Sequence, residues 1–218
     1  FGTIFFWGTL TYGISFVING PLTDKIGGRK TILISALGSA AANFAMGYVV
    51  YSGMTENLVG IFSFLYAMNM YFQSFGAVSI VKVNAHWFHV RERGTFGGIF
   101  GILISLGVYF AFDWGNLIVS NAPVYMVFFV PVVMLVLFAI FDYFMVFDTP
   151  SHTGHADFDT ADASSGDTGP PLGVLQVAKK MFTNPVIMTI ALIEFCSGFL
   201  RNAIMHWYII FAKQTGMM

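Results

Sequence analysis

The chain has 218 residues, 56% of them hydrophobic and 10% charged, with a formal net charge of -1 and a mean hydropathy of +0.74. Soluble domains carry about 25% charged residues, so this composition cannot wet a globular surface and excludes an ordinary soluble protein. No basic cluster answers to nucleic acid, and a single cysteine, Cys196, excludes a disulfide framework within the chain.

A helix needs about 20 apolar residues to cross a hydrocarbon core. The first such stretch is Phe1–Asn19, which opens the chain with no initiator Met and no basic leader, so a longer protein is expected. The connector Gly20-Pro-Leu-Thr-Asp24-Lys25-Ile-Gly27-Gly28-Arg29-Lys30 follows. In it Pro21 and the later glycines predict the turn, and Gly20 predicts close approach of the helix end to its neighbours. Asp24 is placed to meet a positive helix N-terminus or a basic partner. The next spans are Thr31–Tyr51 and Asn57–Val81, then a connector with Arg91 and Arg93, then Phe96–Trp114. In this fourth span Gly97 and Gly101 form a small-xxx-small pair that predicts packing. Val124–Val146 is the fifth span; the run Val127–Phe141 is apolar without alternation, so it reads as a helix and not as a barrel strand.

The stretch 147–183 is rich in Ser, Thr, Gly and Pro and carries Asp157, Asp159, Asp162 and Asp167, which reads as a solvated linker. The last span is Val186–Phe211. Lys25, Arg29, Lys30, Arg91, Arg93, Lys179 and Lys180 lie in alternate connectors, while Tyr51–Asn57 and Gly115–Pro123 hold no Lys or Arg. The basic stretches 20–30, 86–95 and 147–183 are therefore expected in the cytoplasm, and the protein in the cell membrane as a multi-pass, all-α bundle.

The first connector resembles the loop motif between the second and third helices of the major facilitator superfamily at every defining position. The resemblance implies a partial facilitator fold, with six transmembrane helices of an expected twelve. Residues 1–146 are then helices two to six, 147–183 the central loop, and 184–218 the seventh helix. Tyr71-Phe-Gln73-Ser-Phe-Gly76, Lys82, His86-Trp87-Phe88 and Arg91-Glu92-Arg93-Gly94 are similar to the fourth helix of the organophosphate:phosphate antiporters. Asp148-Thr149-Pro150 with Gly154, and Phe199-Leu200-Arg201 with Ile204 and Trp207, match that family's central-loop entry and its seventh helix. Ala77-Val78-Ser79, Ile104 and Phe16 depart from the glycerol-phosphate members, which speaks against that particular substrate.

Arg201 lies near the middle of its span, where a charge costs several kcal/mol without a partner, water or cavity. A guanidinium suits an anionic, phosphate-bearing substrate, and the family pattern implies that role. The competing role is a salt bridge to Glu194, seven residues and about 10 Å away along the helix. Glu194 could instead bracket a ligand or take a proton. Lys82 could draw anions inward or snorkel to a nearby acid. Gly20, Asp24, Lys25, Gly27, Arg29, Lys30, Arg91, Arg93 and Asp142 read as a cytoplasmic charge latch on a two-state equilibrium, or as static pairing. His86, His89, His152 and His155 lack the companions of a metal site, and His206 reads as packing. There is no phosphate loop, nucleophile elbow or paired carboxylates, so neither enzyme nor cofactor is expected.

The implied function is exchange of a small organic anion for inorganic phosphate by a protein that is monomeric at full length. A proton-coupled carboxylate or sugar transporter, and a transport-silent sensor, are the alternatives.

Overall fold

The computed structural model describes residues 1–157, 159–161 and 174–216. They form α1 (Gly2–Ile26), α2 (Gly28–Tyr51), α3 (Leu58–Trp87), α4 (Arg93–Asn121), α5 (Met126–Met145), a 3-10 turn at Pro150–Thr153, α6 (Val174–Thr183) and α7 (Pro185–Gln214). No strand occurs among the described residues. The chain divides into two compact units, Phe1–Ser165 with α1 to α5 and Gly166–Met218 with α6 and α7.

Every expected span coincides with a long helix, and most of the helices outrun the apolar stretches. Hydropathy marks the part that touches lipid, whereas a helix continues until the backbone is turned. Thus α1 does not end at Asn19 but runs through Pro21 to Ile26. Proline forfeits one intrahelical hydrogen bond, that to the carbonyl four residues earlier. The last turn is held from outside, by the Lys82 ammonium donating to the Thr23 carbonyl at 3.1 Å. The turn falls on Gly27 alone, at φ 99° and ψ 149°, a conformation essentially restricted to glycine.

Within the first unit α1 packs along α3, α3 along α2, and α2 along α5, while α4 touches α5 only lightly. The interior is small and polar. Ser15, Asn19 and Thr23 of α1, Thr31 and Ser39 of α2, and Asn69, Ser74 and Ser79 of α3 are buried, beside Ala40, Ala42, Met46, Val49, Phe75 and Ala139. The Asn19 amide donates to the Ser74 hydroxyl at 2.6 Å, and the Ser79 and Thr31 hydroxyls lie 2.6 Å apart. Large apolar side chains such as Phe6, Val17, Leu37, Phe44, Phe64 and Leu137 face outward. That inversion suits lipid, where helix association relies on small residues and interhelical hydrogen bonds.

Four helices are long and apolar enough by themselves to cross a membrane: Gly28–Tyr51, Arg93–Asn121, Met126–Met145 and Pro185–Met205. α1 and α3 are not among them; their Ser, Thr and Asn residues lower the mean hydropathy, and six of these residues, Ser15, Asn19, Thr23, Asn69, Ser74 and Ser79, are buried. Glycine marks the closest approaches. A Cβ on Gly8 would lie 2.2 Å from the Tyr66 ring, on Gly38 2.3 Å from Phe72 and on Gly47 2.7 Å from Phe129. The expected pair Gly97 and Gly101 has nothing within 4 Å, and α4 buries no residue, so that close contact is not made among the described residues.

The stretch 147–183 is more structured than a solvated linker. The Trp87 indole donates to the Phe147 carbonyl at 2.9 Å and the Val90 amide to the Thr160 carbonyl at 3.0 Å, so its first part folds onto the bundle. Its last part is α6. Phe158, Asp162 and Asp167 lie outside the described residues. The connectors holding Gly27, residues 88–92 and residues 146–161 gather at one end of the first unit, and the Tyr51 and Tyr125 rings meet 5.2 Å apart where the connectors without Lys or Arg lie.

Overpacking a tight helix contact costs about 1–3 kcal/mol. Gly38→Ala is therefore expected to lower the thermal unfolding temperature in detergent, while Gly101→Ala leaves it unchanged or slightly raised.

Candidate functional site

Three helices of the first unit, α1, α3 and α5, end at the end where the basic connectors gather, and the last carbonyls of a helix have no partner within it. Each receives a basic side chain from elsewhere. Lys82 of α3 donates to the Thr23 carbonyl in the last turn of α1. Arg93, at the start of α4, donates to the Ala85 carbonyl at 2.8 Å and the Phe88 carbonyl at 3.3 Å, closing α3. Arg29, at the start of α2, donates to the Tyr143 carbonyl in the last turn of α5, with its guanidinium 4.7 Å from the Phe147 ring centre and 5.3 Å from that of Tyr143. Cations are favoured at helix C-termini by the macrodipole, and arginine adds attraction to the aromatic faces.

The N-terminus of α2 has the opposite need, and Asp148 meets it. Its carboxylate Oδ1 accepts the Arg29 backbone N–H at 2.7 Å. The approach is possible because Gly27 and Gly28 have no side chains. A Cβ on Gly27 would stand 3.0 Å from Asp148 Oδ2, and one on Gly28 3.0 Å from Asp148 Oδ1 and 2.6 Å from Val83. The paired glycines thus serve a carboxylate that sits 119 residues beyond Arg29 in the chain. Asp148 belongs to the Asp148-Thr149-Pro150 pattern, which by itself assigns the carboxylate no role. The available signal was an acid directly after a span, whose partner in the fold only the structure supplies.

Asp24 takes the basic partner rather than the helix N-terminus, pairing with Lys82 at 3.1 Å; its side chain stays 74% exposed, against 23% for Lys82. Lys82 is accordingly committed to α1. Lys25, Lys30 and Arg91 are exposed, and Arg93 is half-buried against its two carbonyls. Asp142 is half-buried and its carboxyl makes no hydrogen bond or ion pair among the described residues. Nothing lies within 4 Å of an added Cβ at Gly20, so the close approach expected there is not made among the described residues. The latch residues therefore do not form one cluster. They split into Asp24–Lys82, Arg29 with the end of α5, and Arg93 with the end of α3.

In the second unit Glu194 and Arg201 both project from α7, exposed, and neither makes a hydrogen bond or ion pair among the described residues. The two stand two helical turns, about 10 Å, apart on one face, too far for direct contact. His206 belongs to α7, but its side chain lies outside what is described.

A family model, that of the Major Facilitator Superfamily, matches residues 1–218. Among curated proteins the chain is similar to a glycerol-3-phosphate transporter of Bacillus subtilis, 27% identical over 157 residues that make up 67% of this chain and 32% of that protein. It is similar to the membrane sensor protein UhpC of Salmonella typhimurium, 24% identical over 98 residues, 45% of this chain and 21% of the relative. A probable hexose phosphate transport protein of Chlamydia pneumoniae is 25% identical over 97 residues, 44% of this chain and 20% of the relative. The matched part spans less than a third of each of these relatives. No solved structure matches the chain.

Removing a helix-capping carboxylate costs about 0.5–2 kcal/mol. Asp148→Ala is expected to destabilise the protein by that amount in thermal unfolding in detergent. Gly28→Ala is expected to do the same even with Asp148 in place, because its Cβ displaces the carboxylate and Val83.

Proposed function

This chain belongs to the major facilitator superfamily, and we propose from that premise that it forms part of a secondary active transporter for small organic anions. Phosphorylated metabolites are the preferred cargo, exchanged for inorganic phosphate. Residues 1–146 belong to the first helical bundle, 147–183 to the cytoplasmic connection, and 184–218 open the second bundle. Transport proceeds by alternating access, the two bundles rocking about a site near the bilayer midplane.

The observation that carries this reading is Arg201. It stands within the Pro185–Met205 crossing, exposed and without a partner among the described residues. A cation at that depth is costly unless it faces a bundle interior or a watery cavity. A guanidinium offers paired donors to two phosphate oxygens. The glycerol-3-phosphate transporter of Bacillus subtilis and the probable hexose phosphate transport protein of Chlamydia pneumoniae are both named for phosphate esters, which supports the same class of cargo. Glu194, two turns before Arg201, borders the same site and tunes it, as a contact to substrate hydroxyls or as a proton acceptor. Asp24, Lys25, Lys30 and Arg91, the exposed members of the charged end, are the groups available to a latch between bundles.

The similarity to a membrane sensor protein favours one second reading, a chain that binds the same class of ligand without moving it. Both readings place the anion on Arg201, and flux separates them.

A charge-assisted hydrogen bond contributes about 1.5–3 kcal/mol, which corresponds to roughly 10- to 150-fold in affinity. In the full-length protein, reconstituted in vesicles loaded with inorganic phosphate, Arg201→Ala is expected to lower uptake of sugar or glycerol phosphates by at least tenfold at normal protein yield. Arg201→Lys retains part of the activity. Uptake by Arg201→Ala equal to that of the unaltered protein removes Arg201 from the site. Ligand binding with no flux in the unaltered protein selects the sensor.

A further inference from the structure

We infer that α6 is a membrane-surface helix that lays its apolar side among anionic phospholipid headgroups at the cytoplasmic face. The pattern is sharp for a helix of ten residues. At 100° per residue Ala178, Met181 and Phe182 fall on one side. Lys179, Lys180 and Thr183 fall on the other. Met181 and Phe182 are 49% and 74% exposed, and both lysines are exposed. A helix this short, about 15 Å long, cannot cross the hydrocarbon core, and its two lysines bar it from trying.

What covers the apolar side follows from where α6 stops. A single residue, Asn184, separates it from α7, and the crossing segment begins at Pro185. The Asn184 side chain accepts the backbone N–H groups of Val186 and Ile187 at 3.0 and 3.3 Å, so the chain changes direction there by a formed N-cap rather than through a flexible tether. α6 is thereby fixed within one residue of membrane entry, at the depth where headgroups meet acyl chains. An amphipathic helix held at that depth buries its apolar face in the boundary and keeps its charges in the headgroup layer. Lys179 and Lys180 complement anionic lipids there, and their long stems allow the ammonium groups to reach outward.

The test uses the full-length protein in a cysteine-free background, with single cysteines replacing Phe182 or Thr183 and carrying an environment-sensitive fluorophore. The protein is reconstituted in phosphatidylcholine vesicles with or without phosphatidylglycerol, each containing lipid with a nitroxide high on the acyl chain. The label at 182 is expected to be quenched more strongly than that at 183, and more strongly when phosphatidylglycerol is present. Each lysine close to an anionic surface contributes about a fivefold change in partition. Lys179→Gln with Lys180→Gln is therefore expected to abolish most of the phosphatidylglycerol dependence. Equal quenching at 182 and 183 overturns the proposal. So does a 182 label shielded from both lipid and water-soluble quenchers, which would place the apolar face on protein. A 182 signal indifferent to phosphatidylglycerol and to the double substitution overturns the choice of anionic lipid.

Discussion

The first unit is organised by the need to satisfy helix ends gathered at one end of the bundle. Three helices, α1, α3 and α5, deliver their carbonyl ends to the same face, each with partial negative charge and unpaired acceptors. Lys82, Arg93 and Arg29 answer them one by one, and Asp148 answers the N-terminus of α2, accepting the Arg29 amide. Two of the basic residues that mark the cytoplasmic side, Arg29 and Arg93, are therefore also structural. Membrane orientation and helix capping are two consequences of placing the same cations at the same end.

The interior obeys a related constraint. Lipid offers no gain for burying a large apolar side chain between helices, so the space inside is filled by groups that let backbones approach and that hydrogen-bond across the gap. Asn19 with Ser74 and Thr31 with Ser79 are such contacts, and the glycines at positions 8, 38 and 47 allow aromatic rings to lie against a bare backbone. Burial of the polar residues is what makes α1 and α3 look less like membrane helices than they are.

Much of this was legible in the sequence. The long helices, the alternation of basic and neutral connectors, and the glycine-rich first connector were each readable because they depend on local composition or short spacing. The position of Pro21 inside α1 was not, since proline usually breaks a helix and the turn beyond it is supported by Lys82, fifty-nine residues on from the Thr23 carbonyl it reaches. Nor was the identity of the carboxylate at α2. Asp24 is the nearer acid in sequence, yet α1 carries it toward Lys82, while the end of α5 returns Asp148 to the two glycines. Long-range pairing of this kind leaves no periodic trace. α6 escaped for another reason: its ten residues are too few and too charged to register against the long apolar runs on either side.

The distribution of these contacts bears on how such a bundle could move. Arg29 with the end of α5, Asp148 with the start of α2, and Lys82 with the end of α1 all lie within the first unit. On the reading proposed above, in which two bundles rock, contacts internal to one of them neither form nor break as it moves. On that reading their effect is to hold the bundle together as one piece, and state preference rests on charges that the bundle leaves at its surface. Asp24 is the most telling of these, because its pairing with Lys82 leaves most of the carboxylate exposed. One carboxylate can thus hold the cation that closes a helix end within its own bundle and still keep most of its own surface open to solvent.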